Sequence, residues 1–335
     1  MNRDRFIGEL EQLAMHPDYI AHPLSWLGHI PFVAWLVTVV EPEQFVELGS
    51  YSGTSYFAFC QAIKSRDLRT RCVAIDTWEG DEHTGRYSEE VFQAFADYND
   101  AHFSAFSSYL RMRFDNALPL IADCSVDILH IDGLHTYEAV KQDYETWMPK
   151  MSARGVILFH DTAVDSEGFG VVRFWSEVSE LYPFYNFTHS NGLGVLLVGS
   201  FYQRDGTLLA AIKSIAPLSE RLAERLWLQQ IVREKQIQLE EFQGFTVPGL
   251  IAEKERFDAA RQSLEQNMLE KQRRLDTFET VTIPAIVAEK HLSDVALGRA
   301  VSELSLLNIE LEKIKSSMVW KVLTKILSIK ARIFK

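Results

Sequence analysis

The chain has 335 residues, 47% hydrophobic and 24% charged, a composition that suits a globular protein with one large domain and further sequence beyond it. Its three cysteines, Cys60, Cys72 and Cys124, contain no CxxC pair, which excludes a disulfide framework and a structural zinc site. The net charge of −12 is uneven: residues 1–200 hold 13 Lys/Arg against 28 Asp/Glu, and residues 201–335 hold 21 against 18. So acidic a front half argues against nucleic acid as substrate, because phosphate binding needs a basic surface.

The opening "MNRDRFIGEL" is polar and has no apolar signal region, so a reducing, cytoplasmic setting is expected. The most apolar run, "IPFVAWLVTVV" (30–40), falls short of the ~20 residues a membrane span needs and reads as a buried helix. Next come "QFVELG" (44–49), "RCVAID" (71–76), "DILHID" (127–132) and "GVILFHD" (155–161), which read as strands buried on both faces. "TSYFAFCQAIKSR" (54–66) and "TYEAVKQDYETWMPKM" (136–151) between them have helical spacing. That alternation predicts an α/β fold with a mostly parallel sheet. "YLRMRF" (109–114) is a further strand candidate, and "FYNFTHSNGLGVLLVG" (184–199) reads as an antiparallel hairpin turning at Asn191-Gly192.

After Phe201 strand patterns give way to charged helical sequence, which divides the chain into residues 1–200, 201–296 and 297–335. In the middle part "FTVPGLIAEK" (245–254) recurs as "VTIPAIVAEK" (281–290), each with an early proline that suits a helix start, so two successive helices are expected. Leu297, Ala300, Leu304, Leu307, Leu311, Ile314 and Met318 keep a 3–4 spacing. That is the seam of a short coiled coil, or one face of a helix docked on its own domain. From Lys313 to Lys335 there are seven Lys/Arg and no acid.

The first strand runs into "VELGSYSGTSYF" (46–57), where Glu47, Gly49 and Gly53 stand in a glycine turn that leads into a helix. Such a turn lets backbone approach a ligand, and it equally serves tight strand–helix packing. Asp76, at the tip of the second strand, is placed to accept hydrogen bonds from ribose hydroxyls, or to cap a helix. The full GxGxxG of a pyrophosphate cradle is missing, so a nucleoside without phosphates is the expected ligand.

Two further strands end in Asp132 and in His160-Asp161, with His135 just beyond the first. Ligands of parallel sheets bind at the carboxyl ends of strands, so these side chains should converge beside the nucleoside. Two carboxylates with imidazoles suit Mg²⁺ or another divalent ion, and an imidazole can take a hydroxyl proton near neutral pH. The bland reading makes Asp132 and Asp161 helix caps. His130 shares a strand face with Asp132 but reads as a hydrogen-bonded core histidine.

Taken in order, "HIPFVAWLVTVVEPEQFVELGSYSGTSYFAFCQAI" (29–63), "AIDTWEGDEHTGRY" (74–87), "DILHIDGLHTYEAVKQDYETWMPKMSARGVILFHDT" (127–162) and "GFGVVRFW" (168–175) resemble class I S-adenosylmethionine-dependent methyltransferases. The nearest resemblance is to the subgroup found beside bacterial polysaccharide genes. It implies a Rossmann-like seven-stranded sheet with an antiparallel last strand, and S-adenosylmethionine as cofactor. By carry-over Glu47, Gly49, Ser50, Gly53, Asp76 and Trp78 would hold that cofactor. Asp132, His160 and Asp161 would hold a divalent metal, and His135 with Asp132 and His160 would carry the chemistry. His160 stands where relatives have a second acid, and "EGDEH" (79–83) would be a lid from which His83 reaches substrate.

The implied activity is O-methylation of a sugar or glycan hydroxyl. The helical extension would mediate homo-oligomerisation, and the tail 313–335, an amphipathic basic helix, would lie on an anionic membrane at the inner face or dock on a partner subunit. Two other readings stand beside this one. His130, Asp132 and His160 mimic the two-His-one-carboxylate set of a non-haem iron oxygenase. Alternatively, the chain is an inactive scaffold whose working part is the helical extension.

Overall fold

The computed structural model describes residues 16–81, 85–288 and 294–317, and the chain divides into two compact units, Met1–Arg233 and Glu234–Lys335. In the first unit the apolar runs form strands β1 (Gln44–Leu48), β2 (Arg71–Asp76), β3 (Ser107–Arg111), β4 (Val126–Ile131), β5 (Met151–His160), β6 (Phe184–Phe187) and β7 (Leu193–Leu197). They build one seven-stranded sheet in the order β3-β2-β1-β4-β5-β7-β6. The first five are parallel, and β7 runs antiparallel to both β5 and β6. This is the Rossmann-like sheet expected above.

Every residue of β4 and β7 is buried, because helices cover both faces. Helices α1 (Ile30–Val40) and α2 (Thr54–Ser65) pack on one face with Phe45, Ala74 and Leu158. The other face carries α4 (Tyr137–Trp147) and α5 (Val171–Val178) with Val46, Leu129 and Ile157. Helix α3 (Glu89–His102), which the sequence patterns did not announce, buries only Phe95, Ala96 and Asn99.

Three boundaries differ from expectation, each for a local reason. β3 begins at Ser107 because that hydroxyl is buried between Tyr56 Oη (2.7 Å) and Asn99 Oδ1 (2.5 Å), a polar start that hydrophobicity conceals. β5 begins at Met151, where Ser152 Oγ donates to Asp127 Oδ1 at 2.5 Å and draws the strand in before its apolar run. The hairpin between β6 and β7 turns through Ser190, Asn191 and Gly192, all with positive φ, and so is longer than a two-residue turn.

Helix α6 (Thr207–Glu241) follows, and its Leu208, Ile212, Ala216 and Leu226 belong to the core of the sheet unit. In the second unit, α7 (Val247–Thr277) follows a π-helical turn at Phe242–Thr246, and a second such turn, Phe278–Thr282, precedes the short helix Ile283–Ala288. Each wide turn stands just before a repeat proline, Pro248 or Pro284, which has no N–H and whose ring would press on a regular preceding turn. The repeat therefore marks wide turns in helix as well as helix starts.

Helix α8 (Asp294–Ser316) returns along α7, with Lys271 ion-paired to Glu310 and Leu275 buried. Its Ala300, Leu307 and Leu311 are buried, so the seam residues are met by a helix of the same chain, while Leu297 stays exposed. Met318 and all but the first five residues of the basic tail lie outside the described residues. Among the described residues no helix is long and apolar enough to cross a membrane.

Candidate functional site

β1 lies between β2 and β4, and the chain leaves it in opposite directions, which opens a crevice at the carboxyl ends of the strands. The backbone continues the pairing past the strands: Gly49 N donates to Ile75 O at 2.9 Å, and Asp132 N donates to Leu48 O at 2.8 Å. A cavity of about 620 Å³ sits over this junction, within the usual size of a small-molecule site. Gly49 has φ +85°, and a Cβ there would lie 2.0 Å from the carbonyl oxygen of Asp132. Only glycine lets the turn pass so close beneath that carbonyl.

Asp76 binds the turn from the other side. Its Oδ2 accepts from Ser50 N and Tyr51 N, each at 2.9 Å, and its Oδ1 accepts from Trp78 N at 2.8 Å. Burial raises the carboxyl's pKa, and these amides hold it back without reversing the shift. Gly49, Ser50 and Asp76 line the cavity as expected. Glu47, Gly53 and Trp78 stand behind the lining. The Glu47 carboxylate faces inward to His130 Nδ1 at 2.8 Å, and a Cβ on Gly53 would strike the Phe57 and Phe95 rings. Trp78, also buried, ties its indole N–H to Tyr51 O at 2.8 Å. Of the lid stretch, Gly80–Asp81 pairs antiparallel with Gly85–Arg86, and His83 lies outside the described residues.

On the β4–β5 side the predicted side chains do converge. His135 Nε2 lies 2.9 Å from Asp161 Oδ2 and 3.7 Å from Asp132 Oδ1. His160 Nδ1 lies 3.3 Å from Asp132 Oδ1 and 3.4 Å from Asp161 Oδ2. Burial opposes charge on all four groups, yet the mutual ion pairs prevail. The histidines hold Asp132 well below the usual carboxylate range and Asp161 at about 2. The carboxylates push His135 up to about 10 and His160 well above its ordinary value. Two carboxylates and two imidazolium ions thus neutralise one another. Asp161 has φ +61°, a costly conformation for a residue with a Cβ, and its buried Oδ1 has no hydrogen-bond partner.

That donor set fits a divalent cation. Ligand atoms of Asp132, His135 and Asp161 lie within 4.8 Å of one another, and His160 offers a further nitrogen to the same carboxylates. Unpartnered Asp161 Oδ1 is a ready oxygen ligand. His130 is not available: its Nδ1 meets Glu47, and its Nε2 accepts from Trp26 Nε1 at 3.3 Å. This agrees with its reading as a core histidine and removes one ligand of the proposed oxygenase triad.

Residues 46–162 match the family model of a methyltransferase domain. That stretch holds the turn, Asp76 and all four cluster residues, so the methyltransferase match and the site coincide. The protein y4gI of Sinorhizobium fredii (strain NBRC 101917 / NGR234) is 40% identical over 253 residues, covering 65% of this chain and 28% of that relative's length. Among solved structures, the SAH-bound methyltransferase PaMTH1 of Podospora anserina aligns with TM-score 0.41 and 15% identity, over 58% of this chain and 87% of its own. The O-methyltransferase TomG of Streptomyces achromogenes, in complex with SAM, aligns with TM-score 0.39 and 14% identity, over 59% and 91%. At that level of likeness nothing about substrate passes to this chain.

Sequence patterns had missed other parts of the candidate site. Pro23, Ser25 and Trp26 line the cavity from a segment fixed over the turn, where Tyr19 Oη donates to Ser52 O and Ala21 N to Thr54 Oγ1. Asp143 of α4 also lines it, near Gly133, and burial raises its carboxyl to about 7. The aspartate follows a helical spacing and carries no local signal of this role. Phe169 stacks on His135 with centroids 4.8 Å apart.

Proposed function

We propose that the chain is an S-adenosylmethionine-dependent O-methyltransferase whose acceptor is an uncharged hydroxyl compound of the sugar or glycan class. One observation carries this reading: a single cavity joins the glycine turn and Asp76, suited to a nucleoside, with the Asp132–His135–His160–Asp161 cluster, suited to activating a hydroxyl. The charge of the lining supports the choice of acceptor. Among its described residues Arg113 is the one Lys or Arg, and with the cluster's carboxylates and imidazolium ions balanced, Asp76 and Asp115 stand against it, so the lining offers no basic cluster to hold a phosphate-bearing acceptor.

When bound, the cofactor would supply a sulfonium methyl group, the O–C bond forming as the C–S bond breaks with its electron pair left on sulfur. The protein must hold the acceptor oxygen in line with that methyl and take its proton. His135 Nε2, which lines the cavity beside both carboxylates, is our choice of base. It can accept a proton only after losing the one that Asp132 and Asp161 stabilise. A divalent ion held by Asp132, Asp161 and the more buried His160 would polarise the acceptor hydroxyl and absorb the charge that keeps His135 protonated.

The helical hairpin of the second unit and the basic tail remain, in this proposal, means of self-association and of docking on an anionic membrane. The first test is calorimetric titration of S-adenosylhomocysteine into the wild type and Asp76→Ala, each with Mg²⁺ and with EDTA. Binding lost in the variant, followed by methyl transfer to a neutral sugar acceptor, supports the reading. A folded wild type that binds no S-adenosylhomocysteine refutes it and returns the scaffold reading.

A further inference from the structure

Behind the carboxylate cluster, two buried imidazoles each carry a nitrogen without a hydrogen-bond partner, His29 Nδ1 and His160 Nε2. Their residues are 0% and 5% exposed, and their ring centroids lie 5.7 Å apart at an interplanar angle of 83°. An unpaired buried polar group is destabilising, so two on adjacent rings require a reason.

Proton placement supplies it. His29 Nε2 lies 3.0 Å from the carbonyl oxygen of Ser190, which can only accept, so that nitrogen carries the hydrogen. The neutral ring has one hydrogen, so with it on Nε2 the unpartnered Nδ1 holds a lone pair. His160 turns Nδ1 to Asp132 and Asp161. With Nδ1 given to a cation, Nε2 is the nitrogen that bears the ring's hydrogen. An acceptor lacking a donor thus stands beside a donor lacking an acceptor. An in-line imidazole pair with a ~3 Å N–H···N bond has centroids only a little over ~5 Å apart, close to the 5.7 Å between these rings.

We propose that His29 is a positioning residue: its Nδ1 accepts the Nε2–H of His160 and thereby holds His160 Nδ1 toward Asp132 and Asp161. The assignment rests on reading that cluster as the reacting centre. His130 cannot substitute, since both its nitrogens are engaged by Glu47 and Trp26. The turn that presents the Ser190 carbonyl is itself anchored, with His189 Nε2 bonded to Gly28 O at 3.1 Å. A metal-binding histidine commonly gives its second N–H to an acceptor that fixes its tautomer, and loss of that acceptor costs ~10–100-fold in affinity or activity.

The test is long-range ¹H–¹⁵N correlation on ¹⁵N-histidine-labelled full-length protein, with variants His29→Leu and His29→Asn. Expected in the wild type are His29 protonated on Nε2 alone and a scalar coupling across the bond from His160 Nε2 to His29 Nδ1. His29→Leu should speed exchange of the His160 Nε2–H at least ~10-fold and lower kcat ~10–100-fold with the KM for S-adenosylmethionine unchanged. His29→Asn, whose amide oxygen stands near the lost lone pair, should recover most of both. A His29 protonated on Nδ1, an absent coupling, or equal losses in the two variants overturns the proposal. The wild-type spectrum decides even if His29→Leu fails to fold. A coupling present in a protein that methylates nothing upholds the hydrogen bond and counts against the enzymatic reading alone.

Discussion

Replacing Asp143 with asparagine isolates the cost of a carboxyl group that the cavity wall desolvates. Asp143 is buried, no described residue donates a hydrogen bond to its carboxylate, and nearby Asp115 adds to the burial that lifts it from 3.8 to about 7. Because the folded pKa lies above the unfolded one, the folded state keeps a proton that the unfolded state sheds near pH 4. Stability from this group is therefore full below pH 4 and declines until pH passes about 7. At 1.36 kcal/mol per unit the total decline is ~4 kcal/mol, an upper figure because the carboxyl borders the cavity. Asparagine does not titrate, so Asp143→Asn should gain on the wild type by up to that amount between pH 4 and 8, then stay level. Urea unfolding of the two proteins at pH 4.5, 6, 7 and 8.5, followed by tryptophan fluorescence, reads the difference directly. A gap between them that is constant with pH would refute the reasoning, since removal of a titrating group cannot then be its source.

Other outcomes follow from the same geometry. Gly49→Ala places a Cβ 2.0 Å from the Asp132 carbonyl. The variant should lose S-adenosylhomocysteine binding in calorimetry while circular dichroism still shows the sheet unit. Glu47→Ala leaves the His130 Nδ1–H without its acceptor in a fully buried site, and should cost ~1–3 kcal/mol in denaturant unfolding. His135→Gln should slow methyl transfer ~10²–10⁴-fold with cofactor binding intact. With EDTA, the wild-type rate should climb with pH toward about 10, where His135 gives up its proton, and added Mg²⁺ should move that limb lower. A limb that stays in place with metal would remove the carboxylates from control of His135.

The parts of the site legible in sequence are those that a strand end fixes. Apolar runs buried on both faces announce parallel strands, and whatever follows their carboxyl ends meets in one crevice; Asp76, Asp132, His135, His160 and Asp161 were found that way. What stayed hidden depends on partners distant along the chain. Glu47 looks like a ligand residue until His130, 83 positions away, is seen to take its carboxylate. His29 sits among apolar neighbours as any core residue would, and Ser190, which fixes its proton, is 161 positions further on. Strand β3 opens on a serine whose hydroxyl is satisfied only by tertiary contacts. In α6 the spacing of Leu208, Ile212 and Ala216 announces an apolar helix face, but only the fold shows that the sheet unit's core receives it. The seam of α8 likewise reads the same whether a second copy or α7 covers it.

The cavity is lined from Pro23 to Asn191, and its floor is a contact between Gly49 and Asp132. During synthesis, at ~5–20 residues per second, the ribosome must release almost the whole sheet unit before any of these walls can meet. An N-terminal fragment ending before β5 would hold the glycine turn and Asp76 yet lack His160 and Asp161. The joined cavity should therefore be completed late and in one step, which makes its assembly a marker for completed folding of this unit.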